Sequence, residues 1–291
     1  MNELQEAAAP IRISIVTPNF NMATYLGETI RSVLANRTAR DEYFVIDGGS
    51  TDGSVDLIRR HEAALTGWIS EPDRGYADAL AKGFGRATGD VLCWINSGDV
   101  LLSGAFDAVR RIFAARDVDL IFGDDFYIDE ESRVLRFSRG RVGDIAAAML
   151  YGGWTPLQDA CFWTRDLYDR VGGIDPELRC AADYDLFLRM VRTGRARHVP
   201  LAFSAFRRHG GQKSIAGQAA YAREREQVRA REFRAAGDPP LTGAIRRMVH
   251  LNVNRIRSRL APRLWCRLDL AGQPVAELPC APYWPRTRDA R

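Results

Sequence analysis

Lysine is nearly missing from this sequence: Lys82 and Lys213 are the only two among 41 basic side chains, and arginine supplies the rest. A GC-rich genome produces that bias; so does repeated contact with phosphate, which the guanidinium fork suits. Cysteine is scarce as well. Cys93, Cys161, Cys180, Cys266 and Cys280 are widely spaced, with no CxxC pair and no Cys/His cluster at zinc spacing. That argues against a disulfide scaffold and a structural zinc site, and fits a reducing cytosol. No stretch approaches the roughly 18 uninterrupted apolar residues of a membrane span, and Met1 to Pro10 carries two glutamates rather than a basic segment followed by an apolar one. The expectation is a cytoplasmic protein, neither secreted nor integral to a membrane.

What is present is an ordinary globular composition, 46% hydrophobic and 27% charged over 291 residues, enough for one large domain or two small ones. Charge is unevenly placed. Residues 1–240 hold 31 basic and 34 acidic side chains and residues 241–291 hold 10 and 3, so a body of −3 carries a tail of +7.

Ile13-Ser14-Ile15-Val16 is short, apolar and β-branched, and it breaks at Thr17-Pro18-Asn19-Phe20-Asn21: a buried strand entering a loop. Tyr25, Leu26, Ile30, Val33 and Leu34 then recur at helical spacing. Tyr43 to Ile46 predicts a second strand, ending at Asp47 and the turn Gly48-Gly49-Ser50-Thr51-Asp52-Gly53, with Asp52 or Ser50 capping a helix from about Ser54. Gly67 to Ser70, a helix over about 76–87, Val91 to Ile95, a helix over about 104–115, Leu120 to Gly123, and a hairpin joining Tyr127-Ile128 to Val134 to Phe137 continue the alternation. Further on, Gln158 to Trp163 reads as a strand, Leu167 to Val171 as a short helix, Ala181 to Val191 as a helix with an acidic first turn, and about 219–235 as a highly charged helix. Strands alternating with helices predict an α/β fold with a mostly parallel, helix-covered sheet.

Asp47, Asp73 and Asp99 each follow the carboxyl end of a predicted strand, the rim where open α/β sheets bind ligands. Any one of them serves equally well as turn or cap punctuation; three on one rim point to a site. The nearest alternative for such a sheet, a dinucleotide-binding oxidoreductase, requires GxGxxG after the first strand, where this chain has Thr-Pro-Asn-Phe-Asn.

Seven segments in order resemble one family. They are Ile15 to Asn21; Val45-Ile46-Asp47-Gly48-Gly49-Ser50-Thr51-Asp52-Gly53-Ser54; Ser70 to Gly75 with Asp78-Ala79 and Lys82-Gly83; Trp94-Ile95-Asn96-Ser97-Gly98-Asp99; Gly172 to Asp175; Ala182-Asp183-Tyr184-Asp185-Leu186-Phe187-Leu188-Arg189; and His209 to Ser214. Together they resemble family 2 glycosyltransferases, over residues 11–217. The resemblance implies a GT-A-like, Rossmann-like catalytic domain over 11–217, with a nucleotide-binding half (11–125) and an acceptor half (126–217). It is preceded by a tail (1–10) and followed by a helical, basic extension (218–291).

The same resemblance implies a nucleotide-sugar donor with a bias toward UDP, a divalent cation (Mn²⁺ or Mg²⁺) at the diphosphate, and transfer with inversion to a hydroxyl of a glycan or lipid-linked acceptor. The setting it suggests is the assembly of a bacterial surface polysaccharide. Asp183 matches the catalytic base. Asp47, with Gly48 and Ser50 beside it, matches the nucleoside contact, and Thr17, Pro18 and Phe20 would wall the base. Asp73 and Arg74 match the segment that closes over nucleoside and phosphates; Lys82 would lie near the diphosphate or be a surface lysine. Asn96, Ser97 and Asp99 occupy the metal motif, with Asp99 as acidic ligand, His209 as a further metal ligand, and Gln212 and Lys213 as diphosphate contacts. Two positions depart from the family pattern: Asn96 replaces the motif's usual first carboxylate, and Ala182 replaces the glutamate that usually precedes the base. The thinned metal motif leaves room for an alternative, a non-catalytic nucleotide-sugar-binding protein on the same fold.

In the tail, Ile245, Met248, Val249, Val253, Ile256 and Leu260 share one helical face and arginines lie largely elsewhere. Such a helix, over about 241–270, suits docking on the core or a second subunit, or peripheral contact with an anionic membrane at its inner face. No nucleic acid is expected, since no aromatic-interleaved recognition module accompanies the charge.

Overall fold

β1 (Ile13–Asn19) is buried along its whole length because its alternating side chains enter two different cores. Ile13 and Ile15 join one cluster and Val16 the other. Tyr43 and Val45 against Phe44 and Ile46 in β2 (Glu42–Asp47), and Cys93 against Trp94 in β4 (Val91–Trp94), divide the same way. A strand buried on both faces needs cover on both, and helices provide it. α1 (Ala23–Asn36), α2 (Ser54–His61) and α4 (Ala105–Ala114) cover one side; α3 (Tyr76–Phe84), α5 (Ile145–Gly152) and α7 (Ala182–Thr193) cover the other.

The computed structural model describes residues 10–115, 117–140, 143–152, 154–210, 217–235 and 270–283. Gln212, Lys213 and the amphipathic stretch 241–269 lie outside them. The remaining elements are β3 (Gly67–Ser70), β5 (Val100–Leu101), β6 (Leu120–Ile128), β7 (Val134–Ser138), β8 (Cys161–Thr164), α6 (Arg165–Arg170), β9 (Ala196–Arg207) and α8 (Gln218–Ala235). Strand order is β3-β2-β1-β4-β8-β6-β9-β5, with β7 paired to β6. β3, β2, β1 and β4 are parallel, as are β6 and β9; β8 is antiparallel to both of its neighbours. The chain thus has the GT-A-like architecture, a curled, mostly parallel sheet between helices, with its parallel strand ends aimed at one rim.

Several segments differ from the expectation. Gln158 to Trp163 is divided between a one-turn 3-10 helix (Gln158–Ala160) and β8. β9, a strand that the alternation of segments above does not include, spans 12 residues because it pairs alongside the long β6. α5 had no sequence signal beyond an apolar run. Segment 270–283, counted with the helical extension, contains only the 3-10 turn Val275–Glu277 and packs onto the body. Val275, Leu278, Cys280 and Tyr283 join a third apolar cluster with Phe126 and Phe137, and Ala202 donates its N–H to Ala281 O at 3.1 Å. Among the described residues no helix is long and apolar enough to cross a membrane.

Candidate functional site

The carboxyl ends of β1, β2 and β4, the loop before α3, and the first turn of α7 surround one cleft of about 580 Å³. Of the residues singled out in the sequence, Pro18, Phe20, Gly48, Asp73, Arg74, Asn96, Ser97, Asp99, Asp183 and His209 line it. Thr17, Asp47, Ser50 and Lys82 are not among the lining residues. Thr17 is fully buried and shares a hydrogen bond with Tyr43 Oη. The Lys82 ammonium pairs with Glu71 at 2.7 Å and Asp78 at 3.5 Å.

Asp47 is fully buried and saturated. Oδ1 accepts from Asn19 Nδ2 at 2.6 Å and Ser50 Oγ at 2.5 Å; Oδ2 accepts from Ser70 Oγ at 2.7 Å and from the N–H groups of Gly49 and Ser50. Burial alone would raise its pKa, but these donors reverse that and hold its carboxyl below the usual range. Its place is therefore beneath the cleft wall, tying β1, β2 and β3 together. Asp52 does similar work one turn later, accepting from Ser54 N–H and from Ala23 N–H at the start of α1. At Gly48 a Cβ would fall 2.6 Å from Asp73 Oδ2, so only glycine lets Asp73 approach the strand end. Arg74 pairs with Asp78 at 3.0 Å and with Glu177, linking the loop before α3 to the segment before α7.

The loop after β4 is shaped by Gly98, whose φ of 115° favours glycine. Ser97 Oγ donates to Pro18 O at 3.0 Å. Asp99 Oδ1 accepts the Arg207 N–H at 3.0 Å, and Oδ2 takes a long contact from Asn96 Nδ2 at 3.3 Å. Burial, aided by nearby Asp159, pushes Asp99 well above the ordinary carboxylate range. Arg207, 1% exposed, is a hub that sequence reading missed: it donates to Gly98 O, Asp129 O and Glu28 Oε2. His209 lies 5.3 Å from the Tyr25 ring, and burial lowers its pKa, favouring the neutral imidazole.

Among the described residues no group of three or more His, Cys, Asp or Glu is placed to hold a metal ion. The cleft nonetheless offers the Asp99 carboxylate with Asn96 and His209 as neutral donors. That donor set suits Mg²⁺ or Mn²⁺ drawing most of its ligands from a diphosphate and water.

Asp183 lies in the first turn of α7 and lines the cleft. Its Oδ1 is shielded from solvent and has no hydrogen-bond partner. Burial pushes its pKa up to about 6; the N–H groups of Tyr184 and Asp183 itself oppose the rise and the Glu224 carboxylate adds to it. Asp185, two residues on, faces the other way: it is fully buried and paired with Arg189 and Arg231.

Three further lining residues carry buried polar atoms without partners: Asn19 Oδ1, Trp94 Nε1 and both amide atoms of Gln158. Buried polar groups are nearly always bonded, so unspent donors and acceptors on residues that line one cleft point to the wall of a polar ligand site. Sequence reading gave none of the three a role in the site. Trp94 and Asn19 end β4 and β1 within the family-like segments, and that position was the available signal. The cleft floor is rigid: Trp94 stacks on Phe187 at 5.5 Å and packs edge-on to Trp163 at 5.3 Å.

Solved structures share this architecture. Staphylococcus aureus TarS (residues 1–349) in complex with UDP superposes with a TM-score of 0.62 at 14% identity, over 87% of this chain and 76% of that one. A mannosyltransferase from Pyrobaculum calidifontis, in complex with GDP-Man and Mn²⁺, gives 0.59 at 15% identity over 88% and 77%. The chain spans 60% of another TarS 1–349 structure and 37% of the chain in a third TarS structure. At that identity the likeness concerns the fold alone. In sequence, an uncharacterized glycosyltransferase of Mycobacterium tuberculosis is 33% identical over 181 residues, 61% of this chain and 68% of that protein. Residues 14–166, which include β1 to β4, the Asp47 turn and the Asp99 loop, match the family described as "Glycosyl transferase family 2". By this match, by its relatives and by a cleft at the strand ends of a GT-A-like sheet, the chain belongs to glycosyl transferase family 2.

Proposed function

We propose that the protein is an inverting glycosyltransferase that moves a sugar from a UDP-sugar to a hydroxyl of a glycan or lipid-linked acceptor, in the assembly of a bacterial surface polysaccharide, at or near the inner face of the membrane. The observation that carries the reading is a single cleft holding both unspent hydrogen-bonding groups and an unpartnered carboxylate, Asp183 Oδ1. A polyhydroxylated ligand matches the first, and an acceptor proton matches the second.

The nucleoside lies at the β1–β2 end, against Pro18, Asn19, Phe20 and Gly48, and Asp73 and Arg74 flank it. Bound there, a Mn²⁺ or Mg²⁺ held by Asp99 with Asn96 and His209 would neutralise charge on the leaving diphosphate. At the other end Asp183 accepts the proton of the acceptor hydroxyl. As that O–H bond breaks, the oxygen bonds to the anomeric carbon from the face opposite the diphosphate, and the carbon–oxygen bond to phosphate breaks with its electron pair leaving on UDP. One displacement inverts the centre. A carboxylate with a pKa of about 6 is ionised at neutral pH and is a better base than an unperturbed one.

The test pairs binding with turnover. UDP, UDP-glucose, UDP-N-acetylglucosamine and GDP-mannose are screened by thermal shift with and without Mn²⁺; a ligand at 100 times its Kd adds about 2.7 kcal/mol. Asp183→Asn is expected to keep the shift and to lose about 10³-fold in transfer or donor hydrolysis. Full turnover in that variant removes the base. A donor-induced shift with no turnover in wild type, across acceptor glycans and lipid-linked sugars, favours the non-catalytic binder.

A further inference from the structure

The short segment ahead of Asp183 is gripped from two sides. From α3, Tyr76 Oη accepts the Ala182 N–H at 2.9 Å and donates to Cys180 O at 3.0 Å. From α8, one carboxylate accepts three consecutive backbone N–H groups: Glu224 Oε1 takes Arg179 N–H at 3.0 Å, and Oε2 takes Cys180 N–H at 2.7 Å and Ala181 N–H at 2.9 Å. These are the donors just before and at the cap of α7, where a helix leaves its N–H groups without internal partners. Charge-assisted bonds of this length are the strong kind, and three on one side chain fix its position as well as the segment's. α8 is anchored independently, through Arg231 on Asp185 and Arg192 on Glu232.

We propose that Glu224 is a positioning residue for the transfer reaction: α8, which lies beyond the family match, delivers a carboxylate that sets the backbone of 179–181 and thereby the place and charge environment of Asp183. The proposal rests on the reading of Asp183 as the base. Besides Glu224, the titratable groups that interact with Asp183 are Tyr76 from α3, Cys161 from β8 and Tyr221 from α8; Arg179 lines the same cleft, and Arg225 of α8 lies over the Tyr221 ring. Glu224 supplies the negative charge of this set, so its anion works against ionisation of Asp183, the direction in which a general base gains strength.

The experiment is a ¹³C-carboxyl NMR titration of the full chain, with Asp183 assigned by its loss in Asp183→Asn, comparing wild type with Glu224→Gln and Glu224→Ala. Glu224→Gln keeps the side-chain shape and removes the charge, leaving one carbonyl oxygen to accept where two oxygens did; it is expected to lower the Asp183 midpoint by about 0.5 pH unit or more. In Glu224→Ala, amide exchange at Cys180 and Ala181 is expected to quicken by about ten-fold or more. If Glu224→Ala does not fold, the Gln variant decides. An Asp183 midpoint equal to wild type in Glu224→Gln overturns the proposal, whatever the amides do, because a merely structural contact would loosen the backbone and leave the titration alone. Turnover of the same UDP-sugar panel by Asp183→Asn is measured alongside. Retained turnover there sinks the base while the NMR result still judges Glu224, so the two failures are told apart.

Discussion

The strand-end wall of the cleft and the α7 wall are built around the same residue type used in opposite ways. At the β1–β2 end Asp47 is surrounded by donors from three strand ends, and its carboxyl is held below the ordinary range. At the α7 end Asp183 has an oxygen with no partner, and its carboxyl is pushed up to about 6. A saturated carboxylate is a fastener, whereas an unsaturated, desolvated one is a reagent. Which is which depends on partners that come from distant segments.

The sharpest way to break the comparison is at the fastener. Asp47→Ala leaves Asn19, Ser50 and Ser70 and two backbone N–H groups without their shared acceptor, in a site that water does not reach. Removing a buried charge from its donors costs about 3 kcal/mol or more, so the melting temperature should fall by several degrees. UDP binding should fall with it, because the β1 and β2 ends that wall the cleft come apart. Denaturant unfolding with and without UDP measures both. Loss of UDP binding at unchanged stability would mean instead that Asp47 touches the nucleoside directly.

Much of the fold was legible because both-face burial writes itself as short apolar runs, and β1, β2 and β4 were located within a few residues. Parallel order and the common rim followed from the alternation with helices. The site was legible in part. Of the residues expected there, Pro18, Phe20, Asp73, Asn96, Asp99, Asp183 and His209 line one cleft. Saturation was not legible: what completes it at Asp47 comes from Ser70 and Asn19, 23 and 28 residues away, and Glu224 lies 41 positions beyond Asp183. Arg207 escaped notice for the same reason, its role being a sum of contacts from α1, the Gly98 loop and the β6–β7 hairpin.

A second test works at the reagent and reads stability instead of rate. Asp183 has a folded-state pKa of about 6 against an ordinary value of 3.8. The fold therefore disfavours the charged form: the penalty is absent below about pH 4, grows between pH 4 and pH 6, and is complete above. Asp183→Asn should leave stability unchanged near pH 4 and raise it at pH 8 by on the order of 2 kcal/mol. Melting curves across that range check the sign. A loss of stability at pH 8 would place Asp183 with Asp47 among the fasteners and end the contrast.

The smallest effect is expected at Gln158, which shares the unspent character of Asp183 without its charge. Both amide atoms are buried and unpartnered while the residue borders the cleft. Gln158→Met keeps the volume and removes groups that gain nothing in the free protein, so stability should hold or rise by about 1 kcal/mol. A site built to bond a ligand hydroxyl is weakened by losing that amide, and affinity should drop by about 1 kcal/mol, several-fold in Kd. With the nucleoside placed against Pro18, Asn19 and Gly48 as proposed, the loss should be seen with UDP-sugars and be nearly absent with UDP alone. Calorimetric titration of the variant with both ligands reads the difference. Equal losses would move Gln158 to the nucleotide, and no loss with either would mean that its amide is a cost the fold carries for packing, in which case Asp183 alone marks the reactive end.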